Sequence, residues 1–112
     1  MRKKKVLFVC KSAKARSPTA EMMFGDMKGI EAKSAGTASD AVTIVTENMT
    51  RWADVIFVME ENHKQELIKI DQSSCSKIQV LGIPDLFYRS QPELKQLILE
   101  KMQPYIKQFN LR

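Results

Sequence analysis

Apolar residues along this chain switch between two spacings. Lys5 to Val9 are almost continuously apolar after the first position, the pattern of a strand buried on both faces, and Cys10 stands at its end. From Pro18 the spacing lengthens. Ala20, Met23, Phe24 and Met27 fall on one helical face, and Pro18 suits the first turn, where its missing N–H costs nothing. Ile30 to Ser34 predict a short second strand closed by Gly36. Thr43 to Trp52 predict a helix with Ile44, Val45, Met49 and Trp52 at helical spacing. Asp54 to Met59, "DVIFVM", is the clearest strand in the chain. Glu61 to Ile70 predict a polar helix with Leu67 and Ile68 inward, and Lys77 to Leu81 a fourth strand. Pro92 to Phe109 predict a long amphipathic helix with Leu94, Leu97, Ile98, Met102, Tyr105 and Phe109 on one stripe.

Strand and helix in alternation imply an α/β fold: a parallel sheet with right-handed crossovers and helices on both faces. Four strands in a flavodoxin-like order are expected. No repeat, linker or low-complexity tract interrupts the pattern, so residues 1–112 read as a single domain. In such sheets ligands bind beyond the carboxyl ends of the strands, near the point where the strand order reverses. Cys10 ends the first strand, which puts the residues after it where a ligand is expected.

Composition narrows the classes. Apolar residues make up 44% of the chain and charged residues 28%, ordinary for a globular protein. No apolar run approaches the roughly 20 residues of a membrane span, so no membrane partner is expected. The basic start "MRKKK" is followed only by Val6 to Cys10, shorter than the about 7–15 apolar residues of a signal peptide; the expected location is the cytoplasm. The net charge of +5 is spread too thinly, with too few interleaved aromatics, to predict a nucleic-acid partner. Arg2 to Lys5 read as a solvated N-terminus. The group Lys11, Lys14 and Arg16 points instead to a small anion and makes a basic rim suited to acidic phosphopeptides or highly charged small phosphates. Two cysteines, Cys10 and Cys75, and one histidine, His63, offer no metal-ligand spacing, and both thiols should be free. His63 reads as a solvated or capping residue at a helix start, and Cys75 as a loop thiol.

The stretch from Cys10 to Pro18, "CKSAKARSP", carries the chemistry. Lys11, Ser12, Ala13, Lys14 and Ala15 join a strand to a helix N-terminus in a loop tight enough to turn successive N–H groups inward. Such a nest, backed by the positive end of the helix dipole, binds a tetrahedral anion. Arg16 adds a planar fork that holds two phosphate oxygens at once. The same amides and positive charge favour the thiolate of Cys10, its nucleophilic form, and the Ser17 hydroxyl can donate to it.

These residues resemble a family. "VLFVCKSAKARSPTAE" is similar to the signature of the low-molecular-weight protein tyrosine phosphatases, a hydrophobic strand followed by C-x5-R-S-P-x-A-E. "SAGT", Ser34 to Thr37, resembles the end of the family's second strand, and "ADVIFVME" its third. "IPDLFY", Ile83 to Tyr88, stands where the family carries an Asp-Pro-Tyr-Tyr-like loop. The resemblance extends over nearly the whole chain and is greatest to a short bacterial branch of predicted phosphatases.

The resemblance implies a phosphoric monoester hydrolase, a protein tyrosine phosphatase working through a cysteinyl-phosphate on Cys10, with no metal or organic cofactor. Arg16 and the loop from Lys11 to Ala15 would bind phosphate, Ser17 would support the thiolate, and Asp85 would be the general acid. Phe87 and Tyr88 would wall the pocket or else belong to the core, and Ser34 would brace the loop. Expected ligands are a phosphorylated protein or small phosphate ester, and inorganic phosphate or sulfate in the loop. The sequence departs from the family at Ala13, where an asparagine usually holds the loop; at Ala15, where many members carry a second cysteine; and at Leu86, in place of the loop proline. Ser39 to Thr50 lack the family's His-x-Ala-Arg-like run. The alternative is a phosphate-binding pseudo-phosphatase that recognises phosphorylated partners without turnover. Arsenate reductases on this fold need two further cysteines, of which only Cys75 exists, and sugar-phosphotransferase IIB subunits lack the paired Arg-Ser-Pro.

Overall fold

β1, Lys4–Cys10, is buried from Val6 onward and runs through the middle of the molecule, as its continuous apolarity requires. The structure, a computed structural model, describes residues 3–25 and 27–111; Arg2, first of the N-terminal basic run, lies outside the described residues. After β1 come α1 (Arg16–Gly25), β2 (Ile30–Gly36), α2 (Glu47–Trp52), β3 (Val55–Val58), α3 (Glu61–Ile70), a 3₁₀ turn over Gln72–Lys77, β4 (Ile78–Val80) and α4 (Pro92–Gln108). The four strands pair in parallel in the order β2-β1-β3-β4, the flavodoxin-like arrangement expected. Among the described residues no helix is long and apolar enough to cross a membrane.

Alternation along the strands divides the core into two layers. Val6, Phe8 and Cys10 of β1 face α1 and α4, together with Phe57 and Met59 around β3 and Ala20, Phe24, Leu94, Ile98 and Met102 from the helices. Leu7, Val9, Ile56 and Val58 face the other way, against Val45, Leu67 and Ile78. Phe57 holds the first layer together, with ring centroids 5.7 Å from Phe8 and 5.3 Å from Tyr105. Burial of one such ring contributes about 2–3 kcal/mol. The period of two therefore sends Cys10 towards α1.

Three expected elements change. The helix predicted from Thr43 begins only at Glu47, because Thr46 caps it by accepting from the Met49 amide at 3.3 Å. Residues Thr43 to Val45 are extended instead and pair with Gly36: the Gly36 amide donates to Thr43 O at 2.8 Å and the Val45 amide to Gly36 O at 2.9 Å. Val45 is buried, whereas Ile44 is half exposed and belongs to no helical face. Cys75 stands exposed in a 3₁₀ turn that periodicity did not signal. α4 ends one residue early, with Phe109 as its C-cap.

Candidate active site

The loop after β1 is shaped from outside. The carbonyls of Cys10, Lys11 and Ser12 accept the amides of Thr37, Ala38 and Val42 at 3.0, 2.9 and 3.0 Å. In a planar trans peptide the next N–H points opposite the carbonyl. The amides of Lys11, Ser12 and Ala13 are thereby turned to the inner side of the loop, and that of Ala13 reaches 3.3 Å from Cys10 Sγ. The segment after β2 is what shapes this loop, and nothing in its own sequence signals that role.

Gly36 lets that segment come close. A Cβ there would lie 2.5 Å from Lys11 O and 3.0 Å from Ala13 N, inside van der Waals contact with loop backbone. Ala13 carries the loop's backbone strain. Its φ of 56° is left-handed, a conformation that costs an L-residue with a Cβ about 1 kcal/mol and suits Gly or Asn better. Ala13→Gly should therefore raise unfolding free energy by about 0.5 kcal/mol, the relief of strain exceeding the added freedom of the unfolded chain. Urea denaturation would read this as a higher midpoint at unchanged slope.

Cys10 is buried, with the Ser17 hydroxyl 3.1 Å from its sulfur; the same hydroxyl lies 3.4 Å from Ala35 O. Arg16 is 3% exposed despite its charge. Its Nη1 donates to Glu60 Oε1 at 2.5 Å and to Ile83 O at 2.8 Å, and its Nε lies 3.9 Å from Asp85 Oδ1. One corner of the guanidinium is thus anchored, leaving the Nε–Nη2 edge for a ligand. Glu60, which fixes Arg16, was not anticipated from sequence. Its signal is weak: an acid at the N-cap of α3, immediately after a buried strand.

His63 lies behind Glu60, its Nδ1 accepting the Glu60 amide at 3.1 Å. It caps α3 as expected but is buried, not solvated. Burial, aided by the nearby Arg16 charge, lowers its pKa to about 4. A neutral ring is what an acceptor Nδ1 requires.

Ser34 does not reach the loop. It donates to Glu21 on α1 at 2.5 Å. Register explains the correction: Ser34 pairs with Phe8, and Gly36 is the residue level with Cys10, so Ser34 sits two residues, roughly 6–7 Å, short of the loop.

The loop after β4 closes the other side. Cys10, Ser12, Lys14, Ala15 and Arg16 line a cavity of about 400 Å³ with Asp85, Phe87, Tyr88 and Arg89. Asp85 is well exposed at its rim; Phe87 packs partly against the core and Tyr88 is mostly exposed. Lys11, expected at the anion, is exposed and does not line this cavity. Thr19, also missed from sequence, joins the two loops. Its hydroxyl donates to Ala15 O at 2.7 Å and accepts the Ser90 amide at 2.9 Å.

Comparison with known proteins accords with this geometry. The family model described as low molecular weight phosphotyrosine protein phosphatase matches residues 5–51. No curated protein sequence gives a match. Among solved structures, Wzb from Vibrio vulnificus in complex with benzylphosphonate is 24% identical, covering 94% of this chain and 98% of its own, at a TM-score of 0.79. The tyrosine phosphatase Wzb from Escherichia coli K30 in complex with phosphate is 21% identical over 93% and 96%, at 0.78. The YwlE arginine phosphatase from Geobacillus stearothermophilus is 22% identical over 94% and 96%, at 0.69. These likenesses show the fold, and the match over residues 5–51 includes the strand, loop and helix that carry Cys10, Arg16 and Ser17. Residues 5–51 are thus similar to the low molecular weight phosphotyrosine protein phosphatases, and nearly the whole chain has the fold of the solved phosphatases it resembles.

Proposed function

We propose that the protein hydrolyses phosphoric monoesters, phosphotyrosine in a protein first among them, through a phosphorylated Cys10. The observation that carries this reading is the surroundings of one sulfur: Cys10 Sγ has the Ala13 amide at 3.3 Å and the Ser17 hydroxyl at 3.1 Å, in a cavity also lined by Arg16 and Asp85. The thiolate attacks phosphorus in line, forming the S–P bond as the bond to the leaving oxygen breaks. The loop amides and Arg16 hold the equatorial oxygens, where the transition state carries its charge. Asp85 gives the leaving oxygen its proton. It then takes one from the water that attacks the cysteinyl-phosphate, and Cys10 leaves as thiolate. Phe87 and Tyr88 provide apolar walls for an aromatic leaving group, and inorganic phosphate or sulfate would occupy the same nest. A cytoplasmic setting fits a nucleophile that must remain a free thiol.

Hydrolysis of phosphotyrosine and of p-nitrophenyl phosphate tests the assignment. A general acid matters most when the leaving oxygen is basic. Asp85→Asn should slow phosphotyrosine turnover about 100-fold and nitrophenyl phosphate distinctly less. Thr19→Val, which frees the acid's loop from α1, should show the same leaving-group dependence at roughly 5- to 10-fold. Equal losses on both substrates would remove Asp85 from proton transfer. A wild type that binds phosphate but turns over neither ester would leave the binding module as the function, and the strained Ala13 is the feature that favours that outcome.

A further inference from the structure

A second concavity adjoins the cavity. Phe87 lines both. On its far side Phe87 joins Pro92 and Leu97 in an apolar groove of about 520 Å³, edged by Glu93, Gln96 and Glu100 of α4. The three polar residues and Leu97 recur at three- and four-residue steps, so they share one helical stripe. Glu93 and Glu100 stand seven residues apart along it, roughly 10 Å.

The charge of this groove is opposite to that of the chain. The protein carries +5 overall, and the cavity wall itself bears Lys14 and Arg89. Yet neither Glu93 nor Glu100 forms an ion pair with any described residue. Glu93 accepts only a hydrogen bond from Gln91 Nε2 at 3.2 Å, and both are exposed. An apolar floor between two carboxylates is complementary to one kind of side chain, a long aliphatic stem with a cationic head. Continuity through Phe87 says where that side chain comes from: the polypeptide whose phosphorylated residue occupies the cavity.

Resting on the phosphatase reading, we infer that the Phe87–Glu93–Glu100 groove binds a lysine or arginine next to the phosphorylated residue, and so selects phosphoproteins with a basic flank on one side. The stem would lie along Phe87 and Leu97 while the head meets Glu93 or Glu100. The basic wall formed by Lys14 and Arg89 would favour acidic or neutral residues on the other side. Selectivity is thereby directional along the substrate chain.

Three phosphotyrosine peptides of equal length test this: one with neutral flanks, one with lysines only N-terminal to the phosphotyrosine, one with lysines only C-terminal. One lysine peptide, and not the other, should exceed the neutral peptide about 5- to 10-fold in kcat/KM at low salt, the gain shrinking as salt rises. The Glu93→Gln/Glu100→Gln double variant should lose that gain while its kcat/KM for p-nitrophenyl phosphate stays at the wild-type value, which also shows that it is folded. The inference is overturned if neither lysine peptide is preferred, or if the preference survives in the double variant. Sedimentation gives a further outcome against it: a wild-type dimer that the double variant dissolves would assign the groove to a second copy of the chain. Absence of p-nitrophenyl phosphate turnover by wild type would be a failure of the phosphatase reading instead, and so is distinguishable.

Discussion

Cys10→Ser is expected to remove aryl phosphate turnover by at least about 10⁴-fold while leaving a folded protein that still binds phosphate. The substitution changes one buried atom and keeps the site's shape. What disappears is the sulfur nucleophile: a serine hydroxyl in this setting has no general base beside it, since Ser17 is itself an alcohol and Asp85 stands at the rim, 3.9 Å from Arg16 Nε. Binding is expected to survive because the donors proposed to hold phosphate belong to other groups, the loop amides and the Nε–Nη2 edge of Arg16. Steady-state hydrolysis measures the first half of this expectation. The second is read by titrating inorganic phosphate and following the rise in melting temperature, which tracks ligand bound to the native state. Turnover within tenfold of wild type would exclude Cys10 as the nucleophile.

Gly36→Ala is expected to cost about 3 kcal/mol or more, near the upper end of overpacking penalties, and to lower the melting temperature by roughly 10 °C. The new Cβ would meet Lys11 O at 2.5 Å and the Ala41 Cβ at 2.7 Å. The first is backbone in the phosphate loop, so relief requires moving the loop or separating it from the segment after β2. Either movement breaks the bonds from Thr37, Ala38 and Val42 that turn the loop amides inward. Catalysis should therefore fall along with stability. The informative readout is phosphate affinity at a temperature where the variant remains folded, which should drop although no ligand-contacting side chain has changed. An unchanged affinity would show that the outer braces do not shape the nest.

Much of the architecture was legible because apolar period reports which face of an element is buried. The continuous run before Cys10, the run "DVIFVM" and the stripe on α4 each require particular surroundings whatever their neighbours are, and each forms close to its predicted bounds. The candidate chemistry was legible for a similar reason: Cys10, Arg16 and Ser17 lie within one strand–loop–helix unit, whose local geometry nearly determines their placement. The place of Asp85 in the same cavity as Cys10 was legible from its position after a strand end, since all strands of a parallel sheet deliver their carboxyl ends to one edge.

What the sequence by itself determined is therefore the set of elements, their buried faces and the strand–loop–helix unit that carries Cys10, Arg16 and Ser17. Only the tertiary structure decided which distant groups complete that loop. Glu60 anchors Arg16 from 44 positions away, and Thr19 takes the amide of Ser90 from 71. Ser34 was placed by register two residues below the site it was expected to brace, and Gly36 occupied that level instead. Residues 43–45, helical in their spacing, became extended because Gly36 offered them backbone partners. Periodicity carries no information about such pairings, because they depend on how strands are shifted against one another and on which crossover packs beside which. Those choices are made by the sum of many non-local contacts, and no single stretch of the chain contains them.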